Sequence, residues 1–219
     1  MATKRKNQEQ FIQNLTKNSK NGPGHPCRFS PPEIASLLNM FKHLCGPDKK
    51  KLDRPTFRDV LITRFKITDD FLMDRVFKAF DTDNDSYLKA EEWVRGLSIF
   101  LKGEVEDLIK YCFIVYDLNG DGYISREEMF HMLKPCVVKQ SSEEDPDEGV
   151  KELVEIALKK FDLDHDGRCS VADFRGAVHT ESLLLEGLGH CLPSDTCKAE
   201  FMKLIHGNLT LDDIKPEKK

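Results

Sequence analysis

The 219-residue sequence has no apolar run near the roughly 18 residues that a membrane-spanning helix needs. Its first ten residues, MATKRKNQEQ, are polar and do not form a signal peptide. Ala2 stands where N-myristoylation requires a glycine. These absences predict a cytoplasmic protein with no stable membrane anchor.

Paired cysteines and catalytic signatures are also missing. The seven cysteines are scattered, without a C-x-x-C pair, which argues against a disulfide framework or a zinc site. No G-x-S-x-G, P-loop, H-E-x-x-H or dinucleotide fingerprint is present, so we do not expect an enzyme. The net charge of −5, with clustered acids, argues against nucleic acid as a ligand.

The sequence does contain an internal repeat of acidic stretches. DTDNDSYLKAEE begins at Asp81, DLNGDGYISREE at Asp117 and DLDHDGRCSVAD at Asp162. The first interval is 36 residues and the second is 45. The longer interval contains SSEEDPDEG at 141–149, which we interpret as an exposed acidic linker.

Each acidic stretch lies between two amphipathic segments. Before Asp117, apolar residues recur at helical spacing: Val105, Leu108, Ile109, Cys112, Phe113 and Tyr116. The same offsets are apolar before Asp81 and Asp162, and a helical pattern resumes after each loop. The repeating unit is therefore helix, polar loop, helix, and its apolar stripes predict a packed core.

A fourth unit precedes these three but its loop is degenerate. Stepping back 36 residues from Asp81 gives CGPDKKKLDRPT at 45–56, preceded by a helix that Ser30 should cap. Cys45, Pro47 and Lys49 stand where the other loops carry oxygen ligands, and Thr56 ends the loop. We expect this degenerate loop (45–56) to bind no cation and to pair with the 81–92 loop.

The predicted fold is all-α, with four helix–loop–helix units in two paired lobes. We expect an N-terminal arm at 1–29, an N-terminal lobe at 30–102, a C-terminal lobe at 103–180 and a helical extension with a tail at 181–219.

The three acidic stretches match the EF-hand calcium loop, D-x-[DN]-x-[DN]-G-x₅-E. Ca²⁺ takes hard oxygens from loop positions 1, 3 and 5, from the carbonyl of position 7, often through a water at 9, and from a bidentate carboxylate at 12. Apolar residues at position 8 pair two loops: Leu52 with Leu88, and Ile124 with Cys169. The predicted ligands are Asp81, Asp83, Asp85, Tyr87 and Glu92; Asp117, Asn119, Asp121, Tyr123, Ser125 and Glu128; and Asp162, Asp164, Asp166, Arg168, Ser170 and Asp173.

The three loops should differ in strength. The 117–128 loop matches fully, and Ser125 and Glu128 also form a capping box. The 81–92 loop has Ser86 where glycine is expected and Lys89 at position 9, so we expect weaker binding. The 162–173 loop ends in Asp173, one methylene shorter than glutamate, and should accept Mg²⁺ as well as Ca²⁺.

Several segments resemble the neuronal calcium sensor group of EF-hand proteins. They are NLTKNSK, MDRVFKAFDTDND, YCFIVYDLNGDGYISREEMFHMLK, EEDPDEG and LLLEGLGHCLP. The resemblance extends from about Asn14 to Pro193 and is strongest to an axonemal member of the group. It implies a calcium sensor of cilia and flagella that engages the heavy chain of outer-arm dynein.

A sensor opens a helix pair and offers an apolar groove, often rich in methionine, to a partner helix. Met40, Met73, Met129 and Met132 are available for such a groove or for the core. We expect a sensor rather than a buffer, because a calcium buffer would not need a C-terminal extension. We also expect the protein to be a monomer. A calcium buffer and a regulatory subunit of a phosphatase, resembling calcineurin B, are the alternatives.

Overall fold

The computed structural model describes residues 2–17, 27–47, 49–136 and 147–207. These residues are mostly helical, and the predicted all-α class is confirmed. The helices are α1 (Ala2–Lys17), α2 (Pro31–Cys45), α3 (Arg54–Val60), α4 (Asp70–Phe80), α5 (Ala90–Lys102), α6 (Val105–Tyr116), α7 (Arg126–Leu133), α8 (Glu148–Phe161), α9 (Val171–Thr180) and α10 (Asp195–Ile205). Strands β1 (Tyr123–Ile124) and β2 (Cys169–Ser170) form one antiparallel pair.

Three short segments complete the described secondary structure. A π-helical turn, Leu61–Phe65, continues α3, and 3₁₀ segments span Lys134–Cys136 and Ser182–Glu186. Of the predicted linker at 141–149, residues 141–146 lie outside the described residues, as do 18–26 of the predicted arm and 208–219 of the predicted tail. No helix in the described ranges is long and apolar enough to cross a membrane.

The chain divides into two compact units. The first unit comprises Met1–Glu104 together with Leu192–Lys219, and the second comprises Val105–Cys191. The first unit therefore contains the degenerate loop and the 81–92 loop, and the second contains the 117–128 and 162–173 loops.

Trp93 is at the centre of the first unit. Its ring is fully buried, with the ring centroids of Phe41 and Phe57 each 6.3 Å away. The indole Nε1 donates a hydrogen bond of 3.2 Å to the carbonyl of Leu37. Because a buried N–H needs a partner, this bond fixes α5 against α2.

The C-terminal helix α10 completes the first unit. Phe201 stacks on Phe65 of the π-helical turn, with a ring-centroid distance of 4.9 Å and an interplanar angle of 29°. Leu204 and Ile205 are also buried, and α10 contacts α2 as well. A helix distant in sequence thus covers apolar surface of the N-terminal helices.

The second unit is closed by the segment that ends at Cys191. The Tyr116 hydroxyl on α6 donates to the carbonyl of Gly189 at 2.6 Å, and the Tyr111 hydroxyl donates to the carbonyl of Cys191 at 3.4 Å. Leu188 and Cys191 are fully buried. The segment after the Ser182–Glu186 turn is therefore part of the core of this unit.

The four methionines considered for a groove are all buried: Met40, Met73, Met129 and Met132. In this structure they fill the cores of their units, where an unbranched thioether adapts to irregular gaps.

Candidate metal centres

The first and last carboxylates of every acidic loop are buried. The exposed fraction is 6–8% for all six residues: Asp81 and Glu92, Asp117 and Glu128, Asp162 and Asp173. The carboxylates at loop positions 3 and 5 are more exposed. Buried carboxylates need hydrogen-bond donors or positive charge to compensate their burial, and a bound cation would supply such charge.

Each loop winds around the carboxylate at position 1. The amide of Ser86 donates to Asp81 at 2.8 Å. In the other two loops the glycine at position 6 does the same: Gly122 donates to Asp117 and Gly167 to Asp162, both at 2.9 Å. The side chain at position 5 accepts from the amide at position 7 in all three loops, at 2.9–3.0 Å.

This winding requires left-handed backbone at two positions of each loop. Position 6 has φ of 67° at Ser86, 85° at Gly122 and 88° at Gly167. The strain predicted for Ser86 is therefore present. Position 4 is also left-handed, with φ of 56° at Asn84, 78° at Gly120 and 64° at His165.

The position-4 requirement was not predicted from the sequence, because the EF-hand pattern leaves position 4 open. It adds to the difference between the loops. The 81–92 loop has two non-glycine residues in this conformation, the 162–173 loop has one, and the 117–128 loop has none. Asparagine and histidine tolerate left-handed backbone better than most residues, so Ser86 carries the larger cost.

The residue at position 12 reaches back across the loop only where it is glutamate. Glu128 accepts from the amides of Leu118 at 2.8 Å and Asn119 at 3.1 Å through one oxygen. Its other oxygen accepts from the amide of Ser125 at 2.8 Å. Glu92 makes the equivalent bonds, with the amides of Thr82 at 3.0 Å and Lys89 at 2.9 Å.

Asp173 caps its own helix without reaching the far side of its loop. It accepts from the amide and hydroxyl of Ser170 at 3.0 and 2.5 Å. Within the described residues it forms no hydrogen bond with the amides of Leu163 or Asp164. The shorter reach expected from aspartate is thus visible in the geometry.

The carboxylates of two loops converge on a volume that a cation could fill. Ligand oxygens of Asp81, Asp83 and Asp85 lie within 4.8 Å of one another, and so do those of Asp162, Asp164 and Asp166. In the 117–128 loop an amide takes the place of one carboxylate: Asn119 Nδ2 donates to Asp121 at 3.0 Å. All these side chains offer hard oxygen atoms as metal ligands, which suits Ca²⁺ and Mg²⁺ rather than a thiophilic metal.

The remaining predicted ligands lie at loop positions 7 and 9. Tyr87, Tyr123 and Arg168 occupy position 7, where the predicted ligand is the backbone carbonyl. Ser125 and Ser170 occupy position 9, where each is also the N-cap of the outgoing helix. The capping box predicted for Ser125 and Glu128 is confirmed.

The predicted pairing of loops through position 8 is also confirmed. Leu52 and Leu88 exchange two backbone hydrogen bonds of 2.9 Å, and Ile124 pairs with Cys169 in the β1–β2 sheet. Burial, followed by the charges of Asp173 and Asp162, raises the pKa of the Cys169 thiol to about 12. The position-8 thiol therefore lies within the negative charge of its own 162–173 loop.

Two lysines contact carboxylates of the 81–92 loop. Lys89 forms salt bridges with Asp83 and Asp85, the latter at 3.0 Å, and Lys51 reaches Asp85 at 2.7 Å. The charge of Lys89 was expected to weaken the site, whereas Lys51 was missed. Its only sequence signal is its place, beside Leu52, in the loop that pairs with 81–92.

In both units, a cationic side chain at position 7 of one loop lies over the tyrosine ring at position 7 of the paired loop. The ammonium of Lys51 lies 5.7 Å from the ring centroid of Tyr87, and the guanidinium of Arg168 lies 4.0 Å from that of Tyr123. In each pair, one loop supplies a cation at position 7 and the other supplies the tyrosine beneath it. Cation–π contacts thus support the loop pairing in both units.

Comparison with known proteins agrees with this geometry. The family model of the EF-hand domain pair matches residues 106–178. Calaxin of Xenopus laevis is 58% identical over 178 residues, covering 79% of this chain and 86% of its own length. Calaxin of Bos taurus is 51% identical over 203 residues, with coverage of 90% and 92%.

A more distant relative carries a different name. Calcineurin B of Candida glabrata is 31% identical over 153 residues, which cover 69% of this chain and 83% of that protein. The identity to the calaxins is far higher and extends over more of the chain. Together with the loop geometry, it identifies a calcium-binding regulatory protein, and the chain belongs to the calaxin family of EF-hand proteins.

Proposed function

We propose that this protein is a calcium sensor that binds Ca²⁺ in three loops and changes conformation to regulate a partner protein. The observation that carries the proposal is the double role of the position-12 glutamates. Glu92 and Glu128 are ligands by sequence and form capping bonds at the first turns of α5 and α7. A change at the ion site is therefore transmitted directly to a helix.

The outgoing helix carries buried apolar side chains next to the ligand. Glu128 holds the amides of Leu118, Asn119 and Ser125, and Met129 and Met132 follow it in the core. Calcium supplies a divalent charge that balances the loop carboxylates. When Glu128 exchanges its amide contacts for the ion, α7 must shift and uncover apolar surface, as in other sensor EF-hands.

The proposed partner site in the first unit is the surface that α10 covers. An amphipathic helix with Phe201, Leu204 and Ile205 buried shows how a partner helix could dock there. By the resemblance to axonemal sensors, we propose that the partner is the heavy chain of outer-arm dynein. The protein would then act in cilia and flagella, as a regulator without catalytic activity of its own.

Capture of partners from isolated axonemes, with calcium or with a chelator, tests this function. Calcium-dependent recovery of outer-arm dynein heavy chain is the expected result. Phe201→Ala should release α10 and change the calcium dependence of capture, because a buried Phe→Ala change costs about 3–5 kcal/mol. Lys203→Ala, on the exposed side of the same helix, is the matched control.

The number of ions also tests the assignment of the loops. Calorimetric titration should saturate at three ions per chain, because Cys45, Pro47 and Lys49 replace ligands in the degenerate loop. Magnesium should compete best at the 162–173 loop, where Asp173 has the shortest reach. A fourth specific ion would contradict the assignment.

A regulatory subunit of a protein phosphatase is the second candidate. The 31% identity to calcineurin B of Candida glabrata favours it. Capture from a lysate of non-ciliated cells discriminates the two candidates. Recovery of a phosphatase catalytic subunit there, and of no dynein from axonemes, would favour this candidate over the first.

A further inference from the structure

Two carboxylates of the 81–92 loop are paired with the ammonium groups of lysines. One oxygen of Asp85 accepts a hydrogen bond of 2.7 Å from Lys51 and forms a salt bridge of 3.0 Å with Lys89, which also contacts Asp83. Lys51 belongs to the degenerate loop, which is held against the 81–92 loop by the Leu52–Leu88 bridge. A loop without ligands thus places a positive charge at its neighbour's ligand.

The second unit lacks this arrangement. Ser125 occupies the position that Lys89 has in the first unit, and no lysine or arginine among the described residues forms a salt bridge with Asp121 or Glu128. Arg168, the counterpart of Lys51, lies 3.8 Å from Asp166 of its own loop and against the ring of Tyr123. It contacts no carboxylate of the paired loop within the described part of the chain.

We propose that Lys51 of the degenerate loop competes with the incoming calcium ion for Asp85, so that the loop that binds no ion sets the calcium threshold of the 81–92 loop. The inference rests on the proposed calcium-sensing function and adds a role for the degenerate loop. Lys51 acts from outside the ligand set, and Lys89 acts from within the loop.

The physical basis is competition between cations for the same oxygens. Calcium must displace the ammonium groups, and any lysine that stays nearby repels the divalent ion. The pairing has a chemical signature in both partners: the hydrogen bond from Lys51 lowers the pKa of Asp85, and the same bond raises the pKa of Lys51. Both side chains are partly exposed, so salt should screen the effect.

The single tryptophan offers a selective probe. Trp93 follows Glu92 directly and is fully buried in the first unit, so its fluorescence reports on the 81–92 loop. In the full-length chain, Lys51→Gln should lower the half-saturating calcium concentration of the Trp93 signal by about fivefold, in line with a partly exposed charge pair. The difference from wild type should shrink between 20 and 500 mM KCl.

Two variants serve as controls. Lys50→Gln removes an adjacent exposed lysine that forms no salt bridge within the described residues, and it should leave the threshold unchanged. Lys51→Arg keeps the charge and should stay near wild type. If Trp93 gives too small a signal, calorimetry on the full-length chain carrying both Glu128→Gln and Asp173→Asn, with and without Lys51→Gln, measures the same site.

The outcomes distinguish this inference from the function on which it rests. If Glu92→Gln weakens calcium binding at the 81–92 loop but Lys51→Gln and Lys50→Gln have equal calcium thresholds, the proposed role of Lys51 is overturned. The calcium-sensing function would not be affected by that result. If Glu92→Gln did not alter calcium binding at all, the 81–92 loop would not be a calcium site, and both proposals would fail.

Discussion

The two units use the same helix–loop–helix pair and differ in a few loop residues. In the first unit the 81–92 loop has Asn84 and Ser86 in left-handed backbone and lysines on two of its carboxylates. In the second unit the 117–128 loop has glycine at both positions and a serine in place of Lys89. Because the helix–loop–helix architecture is the same, backbone strain and local charge should determine which loop has the higher calcium affinity.

The largest expected effect is the loss of the position-12 ligand in the stronger loop. Glu128→Gln should weaken calcium binding at that site about 100-fold, about 2.7 kcal/mol, because it removes a buried bidentate carboxylate. Glu92→Gln and Asp173→Asn should cause smaller losses of calcium affinity, because the wild-type 81–92 and 162–173 loops bind calcium more weakly. Calorimetry measures all three, and abolition of binding by Glu92→Gln with an unaffected Glu128→Gln would reverse the ranking.

Exchanging residues at position 6 should move the two units toward each other. Gly122→Ser should lower calcium affinity in the 117–128 loop, and Ser86→Gly should raise it in the 81–92 loop. Each change should correspond to about 1–2 kcal/mol, the cost of left-handed backbone for a residue with a Cβ. Titrations of the two single variants check this, and changes of the same sign would contradict the role of backbone strain.

The two units also differ in the segment that completes them. Tyr116→Phe removes the 2.6 Å bond to Gly189 and should lower the free energy of unfolding of the second unit by about 1 kcal/mol. Urea denaturation followed by circular dichroism measures it, while Trp93 fluorescence follows the first unit. Tyr87→Phe, at an exposed ring, is the control. Loss of stability in the first unit alone would contradict this assignment.

The two units also differ in a pH dependence that the Glu33 carboxylate gives to the first unit. Although burial raises the pKa of Glu33, hydrogen bonds from Lys102, Ser30 and His206 outweigh it and lower the pKa from 4.5 to about 2. The ionised Glu33 carboxylate therefore stabilises the folded state fully above about pH 4.5, and this contribution is lost as the pH falls toward 2.

Glu33→Gln should remove that part of the acid sensitivity. The difference in melting temperature between wild type and Glu33→Gln should narrow between pH 5 and pH 2.5. Asp59→Asn, at an exposed acid of the same unit, is the control. A difference that stays constant over this range would show that the Glu33 carboxylate does not stabilise α2 against α5 and α10.

Local patterns in the sequence predicted most of the fold that positions the site. Helical periodicity predicted the helices on both sides of each loop. Ser30 and Ser125 are the N-caps expected from their local sequence, and Ser86 has the left-handed backbone expected at position 6. The pairing of Leu52 with Leu88 and of Ile124 with Cys169 followed from a repeat with a constant offset. These features depend on neighbours close in sequence or on the repeat itself.

Contacts between distant segments could not be read in the same way. The apolar stripe of α10 predicts a buried face, but only the folded chain shows that Phe201 lies on Phe65. The salt bridge from Lys51 to Asp85 depends on the exact approach of two paired loops. The acceptor of the Tyr116 hydroxyl is likewise more than 70 residues away and has no local signal.

Exposure of apolar surface on calcium binding tests the sensor account most directly. The fluorescence of a hydrophobic dye such as ANS should rise when calcium is added to the full-length chain and should change little with magnesium alone. Glu128→Gln should reduce the rise, because α7 then loses its link to the ion, and the second unit should respond more than the first. Equal dye binding with and without calcium, in a protein that calorimetry shows to bind the ion, would contradict the account and indicate a calcium buffer.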